Sequence, residues 1–385
     1  TSLPGCAWVL QQRPWGSMAA RDGFQPCSLD GMSAPLAPSE KHLVVVALVV
    51  HVLDVGLDLI VAILFFAHLQ WGFFLGCAGV LLWAWLVSSF YISFGGGNPQ
   101  HDDIDDRRSA LDRIPQCFLN FVQAQIFAEA YRCIFRNGDS DYFHTLRLME
   151  AILESAPQAL LQLYALIIWA STEDAPSGAC PLLRLSVMVS FLSVGLGLAM
   201  WEQKVQFRAS SGYFVGVALT RAFEIASRSI TVALFAGLTH PYGFWWVLAL
   251  DYLVMLVLIA RHQSVQFTYG LFVALPLVLV SLEPFVWRRE DHAVPKDAYY
   301  CVRILEFVAM WIAILSQEDR GGPVQDSSVW IGCQVVGLLS AMGLYAMLPC
   351  VWLAARRHEL SRDVTDWADD EATAGLQDGG TSDSS

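Results

Sequence analysis

Long apolar runs separated by short polar links set the pattern of the chain. Leu43–Ala67 and Trp71–Phe94 are each long enough to cross a bilayer, which takes about 20 residues, and the brief Leu69–Gln70 link predicts that they run antiparallel. The linker Gly95–Arg113 opens with GGGNP and continues HDDIDDRR, a polar, turn-rich stretch expected as a cytosolic loop. Ile114–Phe135 is interrupted by Asn120, Gln123, Gln125, Glu129 and Arg132, which predicts a helix that enters and leaves the membrane on one side. Thr145–Ala170 then crosses and Leu182–Trp201 returns. The loop Ser171–Pro181 holds Glu173 and Asp174 but no base, whereas Lys204 and Arg208 follow the returning span, so the bias of basic residues puts the first loop outside and the second in the cytosol.

The second half follows the same plan. Gly212–Gly237 and Tyr242–Ala260 predict a hairpin, and Phe267–Trp287, with Pro276 and Glu283-Pro284, reads as a second re-entrant segment that keeps Arg288, Arg289 and Lys296 cytosolic. Tyr299–Ser316 crosses outward, and Val329–Ala355 returns to Arg356 and Arg357. The expected fold is an all-α polytopic membrane protein, with about eight transmembrane helices plus two half-membrane re-entrant helices in two similar repeats, residues 41–201 and 202–356. Residues 1–40, rich in Pro, Gly and Ser, read as a disordered leader, and 357–385 as a disordered acidic tail, with both termini cytosolic.

Composition agrees with this reading and narrows the chemistry. Of the 385 residues 55% are hydrophobic and 15% charged, with a mean hydropathy of +0.46, far from an ordinary soluble domain. Much of the net charge of −13 comes from acids in Asp102–Asp112 and Asp363–Asp383, and an acidic balance gives no support to nucleic-acid binding. The nine cysteines show no metal-binding spacing. No phosphate-binding loop, HExxH or GxSxG element is present, so the sequence points to no cofactor, no metal and no enzyme, and any transport runs downhill.

The stretch TLRLMEAILESAPQALLQLYALIIWA stands out because it is apolar enough to span yet carries Arg147, Glu150 and Glu154 three and four residues apart, on one helical face. A charge near the bilayer centre costs roughly 2.5–3.5 kcal/mol on insertion scales, so this face should meet protein or water. Pro157 adds a helix kink, removing one donor and freeing the carbonyl of Leu153, with Ser155 and Gln158 close by. Other apolar runs carry Asp54 and Asp58, Arg132, Arg221, Glu224 and Arg228, and Arg303 and Glu306, with Glu202 near a helix end. Leaving out Glu202, six acids stand against five bases, which predicts that they pair with one another. Buried ion pairs that fix helix register would account for any single pair. So many charged faces together favour a continuous polar track, suited to a phospholipid headgroup with a phosphate for Arg and a cation for Asp or Glu. Gly72-x-x-x-Gly76 and Gly212-x-x-x-Gly216 fit close helix packing, and Trp71, Trp245, Trp246 and Trp330 fit interfacial anchoring.

The run Glu154-Ser155-Ala156-Pro157-Gln158, the paired aspartates of Leu53-Asp54-Val55-Gly56-Leu57-Asp58, Ala130-Tyr131-Arg132-Cys133 and Ser227-Arg228 together resemble the signature of the XK-related family of membrane proteins. The resemblance covers about Leu43 to Trp352. It implies eight full spans plus two half-membrane helices, and an ATP-independent phospholipid scramblase of the plasma membrane that exposes phosphatidylserine in apoptosis. The positions matching that family's lipid-headgroup path are Asp54, Asp58, Arg132, Glu150, Glu154, Glu202, Arg228 and Glu306, with Arg147 where members can carry a different base and Glu202 where they more often carry Asp. The partners implied are phospholipids and an accessory membrane subunit or lipid-transfer protein. A transporter of amino acids or ions, and a membrane adaptor for a partner protein, are the alternative readings. In the tail, Asp363-Val364-Thr365-Asp366 has the form cut by caspase-type proteases, with Asp366 at the cleavage position; a solvated acidic tail produces such patterns by chance, and Trp367 is a poor residue after a scissile bond.

Overall fold

The computed structural model describes residues 38–94, 124–136, 141–169, 176, 178–206, 211–262, 296–317, 329–344 and 346–347. The leader before Pro38, the linker Gly95–Arg113, the re-entrant segment Phe267–Trp287, the acidic loop Glu318–Ser327 and the tail with Asp366 lie outside the described residues. Those described are helical, without strands. Their elements are α1 (Pro38–Ala67), α2 (Trp71–Phe94), α3 (Ala124–Phe135), α4 (Asp141–Glu150), a π-helical turn Ala151–Ser155, α5 (Ala156–Ile168), α6 (Ala179–Gln206), α7 (Ser211–His262), α8 (Lys296–Gln317) and α9 (Val329–Leu344).

Among the described residues, four helical stretches are long and apolar enough to cross a membrane: Lys41–Ala67, Trp71–Ser89, Phe143–Ile168 and Ala179–Trp201. Phe143–Ile168 is the most enclosed, 72% buried against 39%, 22% and 61% for the other three in order. It contains the charged stretch singled out by the sequence. The described part of the first half-span is α3, whose 12 residues rise about 18 Å, short of a hydrocarbon core of about 30 Å.

The outward surface of α1 shows what surrounds it. Val45, Val49, Val52, Leu53, Leu59, Ile60 and Ile63 are exposed, whereas His51, Asp54 and Asp58 of the same helix are buried. Apolar outside and polar inside is the inverse of a helix in water, and it fits a helix in lipid whose ionisable residues face the bundle. Along α1 the apolar inner residues divide in two. Val44, Ala47 and Val50 pack with Ile126, Phe143, Leu146 and Met200; Val61 and Phe65 pack with Leu148, Leu163, Leu166 and Leu183. The polar stretch His51–Asp58 lies between these clusters.

The turn between α1 and α2 is where the sequence placed it. Leu69 takes a left-handed conformation at φ 56, with Leu69 N–H bonded to Phe66 O (3.1 Å) and Gln70 N–H to Phe65 O (2.9 Å), the bond pair of a Schellman helix end. Aromatic rings close this end of the bundle, with Phe65 lying 5.3 Å from Phe73 and 5.4 Å from Trp169, and Phe66 5.4 Å from Trp71. Rings gathered at span ends suit the membrane interface.

The second half departs from expectation. Instead of a hairpin reversing between Gly237 and Tyr242, the chain runs as one helix of 52 residues, α7, through Pro241. A proline removes a single donor from the helical ladder, and the sequence offers no run of turn residues here like the GGGN at 95–98. At 1.5 Å per residue α7 measures about 78 Å, more than twice the hydrocarbon thickness. Its first half packs through Ile225, Ala226, Ile230, Ala233 and Leu234, while Trp246, Leu250, Leu253 and Val257 are exposed.

α6 packs against α1, α4, α5 and α7, and two of its glycines set the approach. A Cβ at Gly195 would fall 2.5 Å from Ala218 O on α7, and one at Gly197 would fall 2.9 Å from Ala151 Cβ and 3.1 Å from Arg147 O. Any side chain there would push the helices apart. Gly76 meets the flexible end of Leu161 instead, and Gly72 meets nothing.

Two outcomes are expected. Leu69 is 70% exposed and left-handed, so Leu69→Gly should stabilise the protein by about 1 kcal/mol, read as a higher melting temperature in detergent. Gly197→Leu should destabilise by about 1–3 kcal/mol or more in the same measurement.

Candidate functional site

The buried side of α1 carries His51, Asp54 and Asp58 at spacings of three and four. Facing it, α6 presents Ser186, Ser190 and Ser193 at four and three, and the α4–π–α5 rod presents Arg147, Glu150, Ser155, Gln158 and Gln162. Three stripes at helical spacing meet in one buried polar seam, every member of which is at most 4% exposed.

The seam has three levels. At the first, the carboxylate of Glu150 is held through its two oxygens, one accepting from Arg147 Nη1 and the other from His51 Nδ1. Arg147 Nη2 donates to Ser193 Oγ at 3.1 Å. At the second, Asp54 accepts from Ser155 Oγ (2.6 Å) and Ser190 Oγ (2.7 Å). At the third, Asp58 Oδ1 accepts from Gln162 Nε2 (2.7 Å) and Ser186 Oγ (3.2 Å).

The π turn explains how the rod supplies so many groups. Ala156 N–H bonds Ala151 O, one residue further back than in an α-helix. This wider ring comes immediately before Pro157, which enters α5 in its first turn, where a missing donor costs least. The break expected from Pro157 is therefore absorbed one turn earlier, at Ala151–Ser155. Within that turn Glu154 and Ser155 are adjacent and both buried, yet Ser155 reaches α1 and Glu154 accepts from Trp85 Nε1 of α2 at 3.1 Å.

The expected pairing of acids with bases holds only in part. Arg147 with Glu150, Arg221 with Glu224 (2.7 Å) and Arg228 with Glu306 (3.3 Å) are ion pairs, the last joining α7 to α8. Asp54 and Asp58 have no ion pair among the described residues, and are held by hydroxyl and amide donors instead. Arg132 is not in the seam: its side chain is 55% exposed and bonds Glu129 of its own helix at 2.8 Å. Glu129 also accepts from Gln125 and is the buried member of that pair, an acid absent from the sequence-based tally. A carboxylate three residues from an Arg on one helix holds it locally, before any distant partner can. Glu202 lies in α6 and Arg303 in α8, with side chains outside those described, as is the whole of Asp366.

The residues that sequence reasoning passed over are Ser186, Ser190, Ser193, Gln162 and His51, whereas Ser155 and Gln158 were noted beside Pro157. Ser186, Ser190 and Ser193 are one polar stripe in an otherwise apolar span, a legible signal in a search that had not been confined to charges. Gln162 repeats Gln158 at four residues.

The seam can bind and orient charged and polar groups along a membrane-spanning rod. Among the described residues no three His, Cys, Asp or Glu side chains form a group suited to a metal ion. The family model of XK-related proteins matches residues 42–349, most of the chain and all of the seam. No curated protein matches.

Replacing Glu150 by Gln leaves the Arg147 guanidinium buried without its anion, and should cost about 3–5 kcal/mol in thermal unfolding. Ser190→Ala removes one donor from Asp54 and should cost about 1–3 kcal/mol. Equal melting temperatures for wild type and both variants would contradict the geometry.

Proposed function

We propose, on the premise that this integral membrane protein belongs to the XK-related family, that it is an ATP-independent phospholipid scramblase moving headgroups between leaflets along its buried polar seam. The observation that carries the reading is the depth over which the seam's polar groups are spread. From Arg147 to Gln162 the rod rises about 22 Å, roughly three quarters of a hydrocarbon core of about 30 Å. A site for a small solute concentrates its ligands at one level, whereas a headgroup that must pass through the membrane needs partners at successive depths. Arg147 suits the phosphate, and Asp54, Asp58 and Glu154 suit the cationic part of choline, ethanolamine or serine lipids. Phosphatidylserine exposure at the plasma membrane is the cellular outcome of such movement.

The seam groups are packed shut, so scrambling requires α1 to part from α5 and α6. Such a closed state invites regulation, and the acidic tail after Arg357 is the segment proposed to hold it, with Asp366 as the point where cleavage releases it.

Purified protein reconstituted in vesicles with fluorescent phospholipids, bleached by an impermeant reductant, tests the proposal. Wild type, or a chain ending at Ser361, should expose inner-leaflet lipid to bleaching without ATP. Glu154→Gln keeps one carbonyl acceptor but removes the charge, and with it a bond to an ionised group worth about 1.5–3 kcal/mol, and should slow the flux about tenfold. Absence of flux from both lengths of chain would sink the scramblase reading. Equal flux from the two would remove the tail's role.

A further inference from the structure

The third level of the seam is incompletely bonded. Asp58 is fully buried, and its Oδ2 has no hydrogen-bond partner among the described residues. The Oε1 of Gln162, whose Nε2 holds the other oxygen of Asp58, is likewise unpartnered. Gln158, also fully buried, has neither its Oε1 nor its Nε2 bonded. Gln158 lies three residues after Ser155, which bonds Asp54, and four before Gln162, which bonds Asp58, so it occupies the same face of α5 between the two aspartates. Each unsatisfied buried polar group costs about 1–3 kcal/mol, and a charged one more. Three side chains wanting partners, two on one face of α5 and one on the facing side of α1, mark a site that accepts something.

Charge says what. Around this level stand Asp54, Asp58 and Glu150, and the basic side chains facing them are Arg147 and His51, both engaged by Glu150. Three further arginines are held elsewhere, Arg132 by Glu129, Arg221 by Glu224 and Arg228 by Glu306, and Arg184 of α6 is on the exposed side of its helix. The seam thus carries buried carboxylates in excess of its bases, and an uncompensated carboxylate in a dry interior is costly.

We propose that Asp58, Gln158 and Gln162 form a binding site for a small monovalent cation, Na⁺ in the first instance, between α1, α5 and α6. Three of the four free atoms are hard oxygens, one carboxylate and two amides, with the Ser186 hydroxyl beside Asp58, which disfavours a thiophilic or imidazole-preferring metal; the fourth, Gln158 Nε2, is a donor and takes no part in ligation. A divalent ion is disfavoured too. Ca²⁺ takes 6–8 oxygens, commonly with several carboxylates, and here both oxygens of Asp54 already accept from serines, leaving one carboxylate oxygen open. One open negative oxygen with neutral donors balances one positive charge. The bound ion ties α1 to α5 at the level where the seam is otherwise least bonded, and so favours the closed packing whatever the protein transports.

The test needs no lipid flux and stands apart from the scramblase reading. The full chain in detergent is melted in NaCl, KCl or choline chloride at equal ionic strength and fixed pH. Na⁺, and K⁺ if the site is larger, should raise the midpoint by a few degrees in a saturable manner relative to choline. Asp58→Asn and Gln158→Ala should lose that increment, while Arg184→Ala, on the exposed side of α6, should keep it. Should Asp58→Asn fail to fold, binding of radioactive Na⁺ to wild type and its loss in Gln158→Ala give the same answer. Identical midpoints in the three salts, or an increment that survives both site variants, would overturn the proposal.

Discussion

A carboxylate buried inside a membrane protein must draw its hydrogen bonds from the protein itself, because lipid supplies none, and the architecture follows from meeting that demand for Asp54 and Asp58. Both sit on α1, one turn apart, so their donors must come from helices packed directly against it. α6 supplies Ser186 and Ser190, and α5 with its preceding turn supplies Ser155 and Gln162. Serines serve well here because they are short, so that a hydroxyl reaches an aspartate only when the backbones are close; on its other contacts α6 is brought close to α7 at Gly195 and to the α4–π rod at Gly197.

The π turn belongs to the same arrangement. A regular α-helix through Pro157 would lack a donor in its interior, and the wider turn at Ala151–Ser155 moves the proline to a helix beginning. It also changes the rotation of the rod, so that Glu154 reaches Trp85 of α2 while Ser155 reaches Asp54 of α1. Single π turns occur frequently at functional sites for this reason, since they aim adjacent side chains in directions a regular helix would not. The apolar clusters on either side of the seam keep water from it, which raises the strength of each bond and the cost of any group left without one.

The Arg228–Glu306 pair stands apart from this first group of helices. It joins α7 to α8, is partly exposed, and lies next to a second contact in which Trp311 Nε1 donates to Thr231 Oγ1 at 3.1 Å. A pair with side chains 12% and 19% exposed is cheaper to separate than the Arg147–Glu150 pair at 0% and 3%, so the two regions of the protein differ in how readily their charges reach lipid.

What the sequence by itself determined is whatever depends on neighbours along the chain. Hydropathy over about 20 residues marks the spans, spacing of three and four marks each charged stripe, Pro157 marks where the ladder breaks, and the link at Leu69–Gln70 marks a turn. The pairing of Arg132 with Glu129 was missed because Glu129 was counted only as an interruption. The continuity of α7 through Pro241 was missed because a lone proline signals a break as readily as it tolerates a helix. Only the tertiary structure decided which stripes face each other. The bonds that build the seam from α1 join residues 99 to 136 positions apart, and a stripe states a direction about its own helix axis, not the rotation or depth at which a distant helix meets it. Those follow from how the helices pack, and so only the folded chain made visible that Ser155, Ser186, Ser190 and Gln162 are the groups holding Asp54 and Asp58.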